Sequence, residues 1–251
     1  MDFNGKKVIV TGASRGIGLA TARAFLAAGA TVAVNGRSEA SVARALDELA
    51  GVGRALAAPG DVASVPGCEA MIGDAIAALG GLDILVNNAG TFFRGSIEET
   101  DEAAWDHVLN PNLKGLFFCS RAALPALRAS GGSIVNVASE SGLAGYAETS
   151  AYCASKGAVV NLTRSMAIEL APRVRVNCVC PGVVETDMAR SAFAIAGDEE
   201  AGLAQQRSQY PMQRIGTPQE IAEAILFLAS DEAGFINGAA LPIEGGATAG
   251  G

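Results

Sequence analysis

Apolar residues fall into two alternating registers along this chain. Short runs of mostly β-branched or small apolar residues have the form of buried strands: Lys7 to Thr11 (K-V-I-V-T), Thr31 to Asn35, Arg54 to Ala58, Asp83 to Val86, Ser133 to Ala138, Arg175 to Val179 and Ala240 to Ile243. Between them lie stretches with helical periodicity. The first is alanine-rich, runs to Ala28 and is closed by Gly29; then come Ser38 to Ala50 with Ser38 as cap, Cys68 to Leu79, Asp101 to Arg128, Ala151 to Leu170 and Pro218 to Ala229. Pro111 sits in the middle of the Asp101–Arg128 stretch and predicts a kink, because proline has no N–H to donate and disturbs the carbonyl four residues earlier. Residues from Asp187 to about 215 are the least regular, with Met188, Phe193, Ile195, Leu203 and Met212 scattered among charges; this segment reads as a flap with one or two helices.

Strand–helix alternation without a linker, repeat or low-complexity segment predicts one domain over residues 1–251. Its fold class is α/β: a doubly wound, Rossmann-type parallel sheet of about seven strands with helices on both faces. Composition narrows the partners. Half of the 251 residues are hydrophobic and 18% are charged, which excludes a disordered chain. The net charge of −8 argues against nucleic acid and anionic membrane, so a phosphate-bearing ligand needs locally placed cations. No apolar run reaches the roughly 20 residues of a membrane span, and the first residues carry no signal-peptide core. Cys68, Cys119, Cys153, Cys178 and Cys180 are odd in number and scattered through apolar segments. Cys178 and Cys180 face one side of a strand, but no further ligands complete a metal site. The expectation is reduced, buried thiols in a cytoplasmic protein without a metal.

The first strand runs directly into Gly12-Ala-Ser-Arg-Gly16-Ile-Gly18 and then into a helix. Glycines there allow a tight turn and close approach of a phosphate to the backbone, while the helix N-terminus offers free N–H donors. The spacing is G-x-x-x-G-x-G rather than G-x-G-x-x-G, and a purely structural strand–helix turn is the competing reading. The second strand ends in Val34-Asn35-Gly36-Arg37-Ser38, with an arginine where a carboxylate would select an unphosphorylated ribose. Arg15 and Arg37 together suit a 2′-phosphate, which favours NADP(H), with NAD(H) the alternative; Arg37 as a solvated loop residue is the bland account. Asp61, just past the third strand, either accepts from an adenine amino group or caps the next turn. Asn87-Asn-Ala-Gly90 leaves room over the end of the fourth strand.

Tyr152 and Lys156 lie one helical turn apart on one face. A nearby ammonium favours the phenolate and is expected to lower the phenol's pKa from about 10, so that the pair can pass a proton to or from a substrate oxygen. Taken alone, Y-x-x-x-K is more often an ordinary pair on a helix surface. His107, the single histidine, reads as a surface residue.

These pieces together resemble the short-chain dehydrogenase/reductase family in its roughly 250-residue form, and are similar to its 3-oxoacyl-(acyl-carrier-protein) reductase-like members. The motifs are Thr11 to Gly18, Asp61-Val62, Asn87 to Gly90, Asn112-Leu-Lys-Gly115, Ser139 thirteen residues before Tyr152, Tyr152-x-x-x-Lys156, Pro181-Gly182 and Thr186-Asp-Met188. The resemblance implies an oxidoreductase moving a hydride reversibly between nicotinamide and a ketone, 3-oxo group or secondary alcohol. It makes Tyr152 the general acid or base, Lys156 the holder of the nicotinamide ribose, Ser139 the polariser of the substrate oxygen and Asn112 the holder of a relay water. It places Gly12, Ser14, Arg15, Gly16, Ile17, Gly18, Arg37, Asp61, Val62, Asn88, Ala89, Gly90, Pro181, Gly182, Val184 and Thr186 around the cofactor. It also implies a homotetramer with the 101–128 and 151–170 helices and the last strand at interfaces. Pro111, Ala138, Cys180 and Glu244 depart from the family pattern. Phe92, Phe93, Ser141, Leu143, Tyr146, Met188 and Phe193 are candidates for a mainly apolar substrate pocket. Retention of both Tyr152 and Lys156 argues against a non-catalytic dinucleotide-binding module, and Lys156 with an intact glycine loop argues against a halohydrin-dehalogenase-like lyase.

Overall fold

Val8 and Val10 point to one side of the first strand and Ile9 to the other, and all three are fully buried. A strand that is apolar on both faces needs a layer on each, and in the computed structural model, which describes residues 1–249, it has both. Seven strands make one all-parallel sheet: β1 (Lys7–Val10), β2 (Thr31–Gly36), β3 (Ala55–Pro59), β4 (Ile84–Asn87), β5 (Ser133–Val137), β6 (Arg175–Pro181) and β7 (Ala240–Ile243). Helices α1 (Gly16–Ala27), α2 (Glu39–Glu48) and α9 (Pro218–Ala229) cover the Val8/Val10 face; α3 (Val65–Leu79), α5 (Leu116–Ser130) and α6 (Ser150–Leu170) cover the Ile9 face.

The strand order is β3-β2-β1-β4-β5-β6-β7. The chain winds outward from β1 to β3, then returns to lay β4 on the other side of β1. Connections leave in opposite directions at that point and open a crevice at the carboxyl ends of β1 and β4, where ligands bind in such sheets.

Element ends follow local chemistry. Ser38 caps α2 with a reciprocal box to Ser41, and Thr217 caps α9 with one to Glu220. The third helix starts at Val65 rather than at Cys68, because Ser64 accepts from the Gly67 N–H and Pro66 fits the first turn. The expected kink at Pro111 is a π-helical stretch, Asn110–Gly115, joining α4 (Glu102–Leu109) to α5. Proline cannot serve the His107 carbonyl four residues back; the Thr91 hydroxyl donates to it instead, at 2.8 Å. Between β6 and α9 the irregular segment forms two helices, α7 (Asp187–Phe193) and α8 (Glu199–Gln209), with a small core of Ala189, Leu203, Tyr210 and Ile215. The five cysteines are free. Among the described residues, no helix is long and apolar enough to cross a membrane.

Candidate active site

The glycine loop after β1 is held by amides and hydroxyls from neighbouring strands. Asn35, at the end of β2, accepts from the Gly12 N–H at 3.0 Å and donates to the Ala58 and Gly60 carbonyls at 2.9 and 3.1 Å. Asn88 donates to the Thr11 and Gly12 carbonyls at 2.9 and 3.0 Å, and the Thr11 hydroxyl accepts from the Asn88 and Ala89 N–H groups. Asn88 was expected to face the cofactor; both of its side-chain donors are instead committed to the loop. Gly12 sits at φ 61°, where other residues are strained, and a Cβ there would lie 2.7 Å from Ala89 Cα. A Cβ on Gly18 would strike the Gly12 carbonyl and lie 2.5 Å from Asn88 Nδ2.

Helix α1 opens beyond this loop with Arg15 as its cap, no side-chain cap hydrogen bond and no acidic residue in its first turn. Free N–H donors and an uncompensated positive dipole end, with backbone laid bare by glycines, fit a dinucleotide pyrophosphate. Ser14 lies against Gly36, and Ile17 packs into the core behind the loop. Gly16 approaches Thr186, so the start of α7 leans over the loop. Arg15 pairs with Asp187 of α7 at 4.0 Å, both exposed. Arg37 is exposed, with no side-chain hydrogen bond or ion pair among the described residues. Of the two guanidinium groups expected at the ribose, only Arg37 is therefore uncommitted. Asp61 accepts from the Ala63 N–H at 2.9 Å, the turn-capping role; Val62 beside it is buried.

On the far bank, Ser139 lies two residues past the end of β5, and its Oγ accepts from the Ser141 N–H at 3.1 Å. Helix α6 brings Tyr152 and Lys156 to the same edge. Lys156 is 5% exposed; its Nζ donates to the Val137 carbonyl at 2.8 Å and lies 5.6 Å from the Tyr152 ring centre. Gly90, from the β4 end, faces Asn112 Oδ1 and Lys156 Nζ. Beyond β6, Gly182 donates to the Ile243 carbonyl and Val184 is buried.

The electrostatics correct one expectation. Tyr152 is not lowered by its lysine. Burial pushes its phenol up to about 12; the Ser139 hydroxyl pulls the other way, and nearby Glu140 adds to the rise. Burial also pulls Lys156 down to about 8. Desolvation wins because Lys156 is buried and Tyr152 partly so, while the ammonium is turned toward a backbone carbonyl.

Asn112 is tied down through its side chain. Its Oδ1 accepts from the Thr91 N–H at 2.7 Å, and its Nδ2 donates to the Thr91 carbonyl at 3.0 Å and the Ser155 hydroxyl at 3.2 Å. The side chain clasps two neighbouring segments, so a relay water at Asn112 would fall to its main-chain carbonyl. Phe92 packs edge-on against Tyr152 with ring centres 4.9 Å apart, and Phe193 of α7 stands 6.1 Å from Phe92, so one candidate pocket residue meets the tyrosine and a second stands beside the first. Leu143, Tyr146 and Met188 are partly exposed near the same loops.

Glu140 and Tyr210 lie behind Ser139 and were not anticipated. A carboxylate directly after Ser139 was visible in the sequence, but no spacing rule connects it to a tyrosine 70 residues on.

A family model described as enoyl-(acyl carrier protein) reductase matches residues 12–248. The chain is 41% identical to meso-2,3-butanediol dehydrogenase of Serratia marcescens over 99% of this chain and 97% of that protein. It is 43% identical to 2-(S)-hydroxypropyl-CoM dehydrogenase 3 of Xanthobacter autotrophicus over 96% of each. Among solved structures, levodione reductase superposes with a TM-score of 0.93 at 32% identity, covering 99% of this chain and 100% of that one.

Proposed function

Because the chain belongs to the short-chain dehydrogenase/reductase family of oxidoreductases, we propose that it is an NADP(H)-dependent enzyme moving a hydride reversibly between nicotinamide and a ketone, 3-oxo group or secondary alcohol. The observation that carries this reading is the convergence of Ser139, Tyr152 and Lys156 at the carboxyl edge of β5, across a crevice from a glycine loop whose helix N-terminus is open. Bound NADPH supplies the hydride. Tyr152 gives the matching proton to the oxygen of the carbonyl being reduced, and Ser139 donates a hydrogen bond to that oxygen as its negative charge grows. A phenol pushed up to about 12 keeps its proton at neutral pH, which is the form that reduction requires. Lys156 holds the nicotinamide ribose.

The phosphorylated cofactor is favoured by the end of β2. Gly36 carries no side chain to repel a 2′-phosphate, and the next residue is Arg37, uncommitted among the described residues. Exposed Trp105 on α4, Phe117 on α5 and Ile168 on α6 support assembly through these helices. The test is a panel of vicinal diketones, cyclic ketones, 3-oxoacyl thioesters and secondary alcohols, followed by nicotinamide absorbance with each cofactor. Faster turnover with NADH would reverse the cofactor assignment, and no turnover with either would reject the reaction.

A further inference from the structure

Glu140 is 7% exposed although it carries a carboxyl group and lies next to Ser139. Its Oε1 accepts from the Tyr210 hydroxyl at 2.7 Å, and the Tyr210 oxygen in turn accepts from the Val183 N–H, also at 2.7 Å. Its Oε2 is buried without any partner among the described residues. Gly182 makes room for both side chains: a Cβ there would lie 3.0 Å from Glu140 Oε2 and 2.9 Å from Tyr210 Cε1. Tyr210 stands at the end of α8, so one short chain of bonds joins the two-helix segment, the Ser139 turn and the strand end that leads to Val184 and Thr186. On its other side Tyr210 borders a cavity of about 450 Å³ shared with Val183, Met212, Ile215, Ile243 and Glu244, into which a released phenol could withdraw.

We propose that Glu140 and Tyr210 are a positioning latch for the hydride-transfer reaction, clamping the end of α8 onto the Ser139 turn and the Val183 amide. The proposal rests on the reading of the site given above. A closed latch fixes the Ser139 hydroxyl and holds α7, with Phe193, over the Tyr152–Phe92 pair. Ionisation of Glu140 would strengthen its bond to Tyr210 but leave a charged Oε2 with no donor. The ionisable groups facing it are Tyr210, Glu244 after β7, and Tyr146 and Tyr152 near the start of α6; none is a cation. Burial therefore prevails and pushes the carboxyl up to about 7, with Glu244 adding to the rise and Tyr210 opposing it. An acid whose pKa is raised by folding adds stability below its unfolded value near 4.5, and that stability is lost as pH rises through about 7. The latch is closed at low pH and loosens above neutrality.

Two measurements test this, the first without cofactor or substrate. Difference infrared spectra of the ligand-free protein should show a protonated carboxyl that titrates near pH 7 and is missing in Glu140→Gln, and the thermal midpoint should fall across the same pH range in wild type but not in the variant. A wild-type carboxyl already ionised well below neutrality, or a Glu140→Gln variant with the same pH dependence, overturns the latch. In turnover, Glu140→Gln, which can still accept from Tyr210, should match wild type near pH 6 and lose the decline above neutrality. Tyr210→Phe, which unties both Glu140 and the Val183 amide, should lower kcat roughly ten-fold; an unaltered kcat there also rejects the proposal. A wild type that turns over no carbonyl would reject the reaction, while the infrared and thermal measurements would still decide the latch.

Discussion

The two banks of the cleft are built differently. On the β1/β4 bank the polar side chains around the glycine loop are neutral: Asn35, Asn88 and Thr11 are tied to backbone groups. On the β5/β6 bank, neutral groups such as Ser139 are joined by ionisable ones. Tyr152 and Glu140 are pushed up by burial and Lys156 is pulled down. The difference separates two tasks. A cradle for phosphates must present backbone N–H groups in a fixed shape, and neutral amides do this without adding charge to the site. A proton-transfer bank needs groups whose protonation states respond to their surroundings, and burial makes them responsive.

Substitutions on each bank should therefore fail in different ways. The largest effect is expected from Tyr152→Phe. Loss of a positioned acid should lower turnover by roughly 10²–10⁴-fold, while cofactor titration and unfolding curves stay at wild-type values; a turnover within a few-fold of wild type would remove Tyr152 from the chemistry. Gly18→Ala, on the cradle bank, should do the opposite. A methyl group against the Gly12 carbonyl and Asn88 should cost about 1–3 kcal/mol of stability in urea unfolding, and cofactor affinity should fall with it. If Gly18→Ala lowered only turnover, the division between the banks would be wrong. Arg37→Ala is expected to be milder, raising KM for NADPH roughly ten-fold, as for loss of a charge-assisted hydrogen bond, and leaving KM for NADH unchanged. Equal losses for both cofactors would end the case for a 2′-phosphate contact. The smallest effect is that of Thr91→Val, which takes the donor from the His107 carbonyl that Pro111 leaves open. About 1 kcal/mol of stability should be lost, with kcat unchanged because the Asn112 clasp uses the Thr91 backbone.

Legibility differed between the banks as well. The strand–glycine–helix order, Ser38 as a cap and Gly29 after the first helix could be read directly, because each is a relation between residues a few positions apart. The Tyr152–Lys156 pairing on one helix face could be read for the same reason. The place of Thr91 under Pro111 could not, since the bond it supplies crosses sixteen positions. Asn88 and Asn112 were located correctly along the chain, but which atoms their amides engage was not visible. An amide can serve a ligand, a water or a neighbouring loop with the same atoms, and only the neighbours present in the fold select among these.

The sequence by itself determined the alternation of buried strands and amphipathic helices, and the glycine loop between the first strand and the first helix. Hydrophobic period and motif spacing are local quantities, and they need no knowledge of what lies across the fold. Only the tertiary structure decided that Tyr152 holds its proton more tightly than a free phenol, that Arg15 lies 4.0 Å from Asp187 while Arg37 has no side-chain partner among the described residues, and that Glu140 meets Tyr210. Burial and charge are sums over neighbours drawn from distant parts of the chain. A carboxyl beside Ser139 becomes a buried, half-satisfied group only when β6, β7 and the end of α8 close around it.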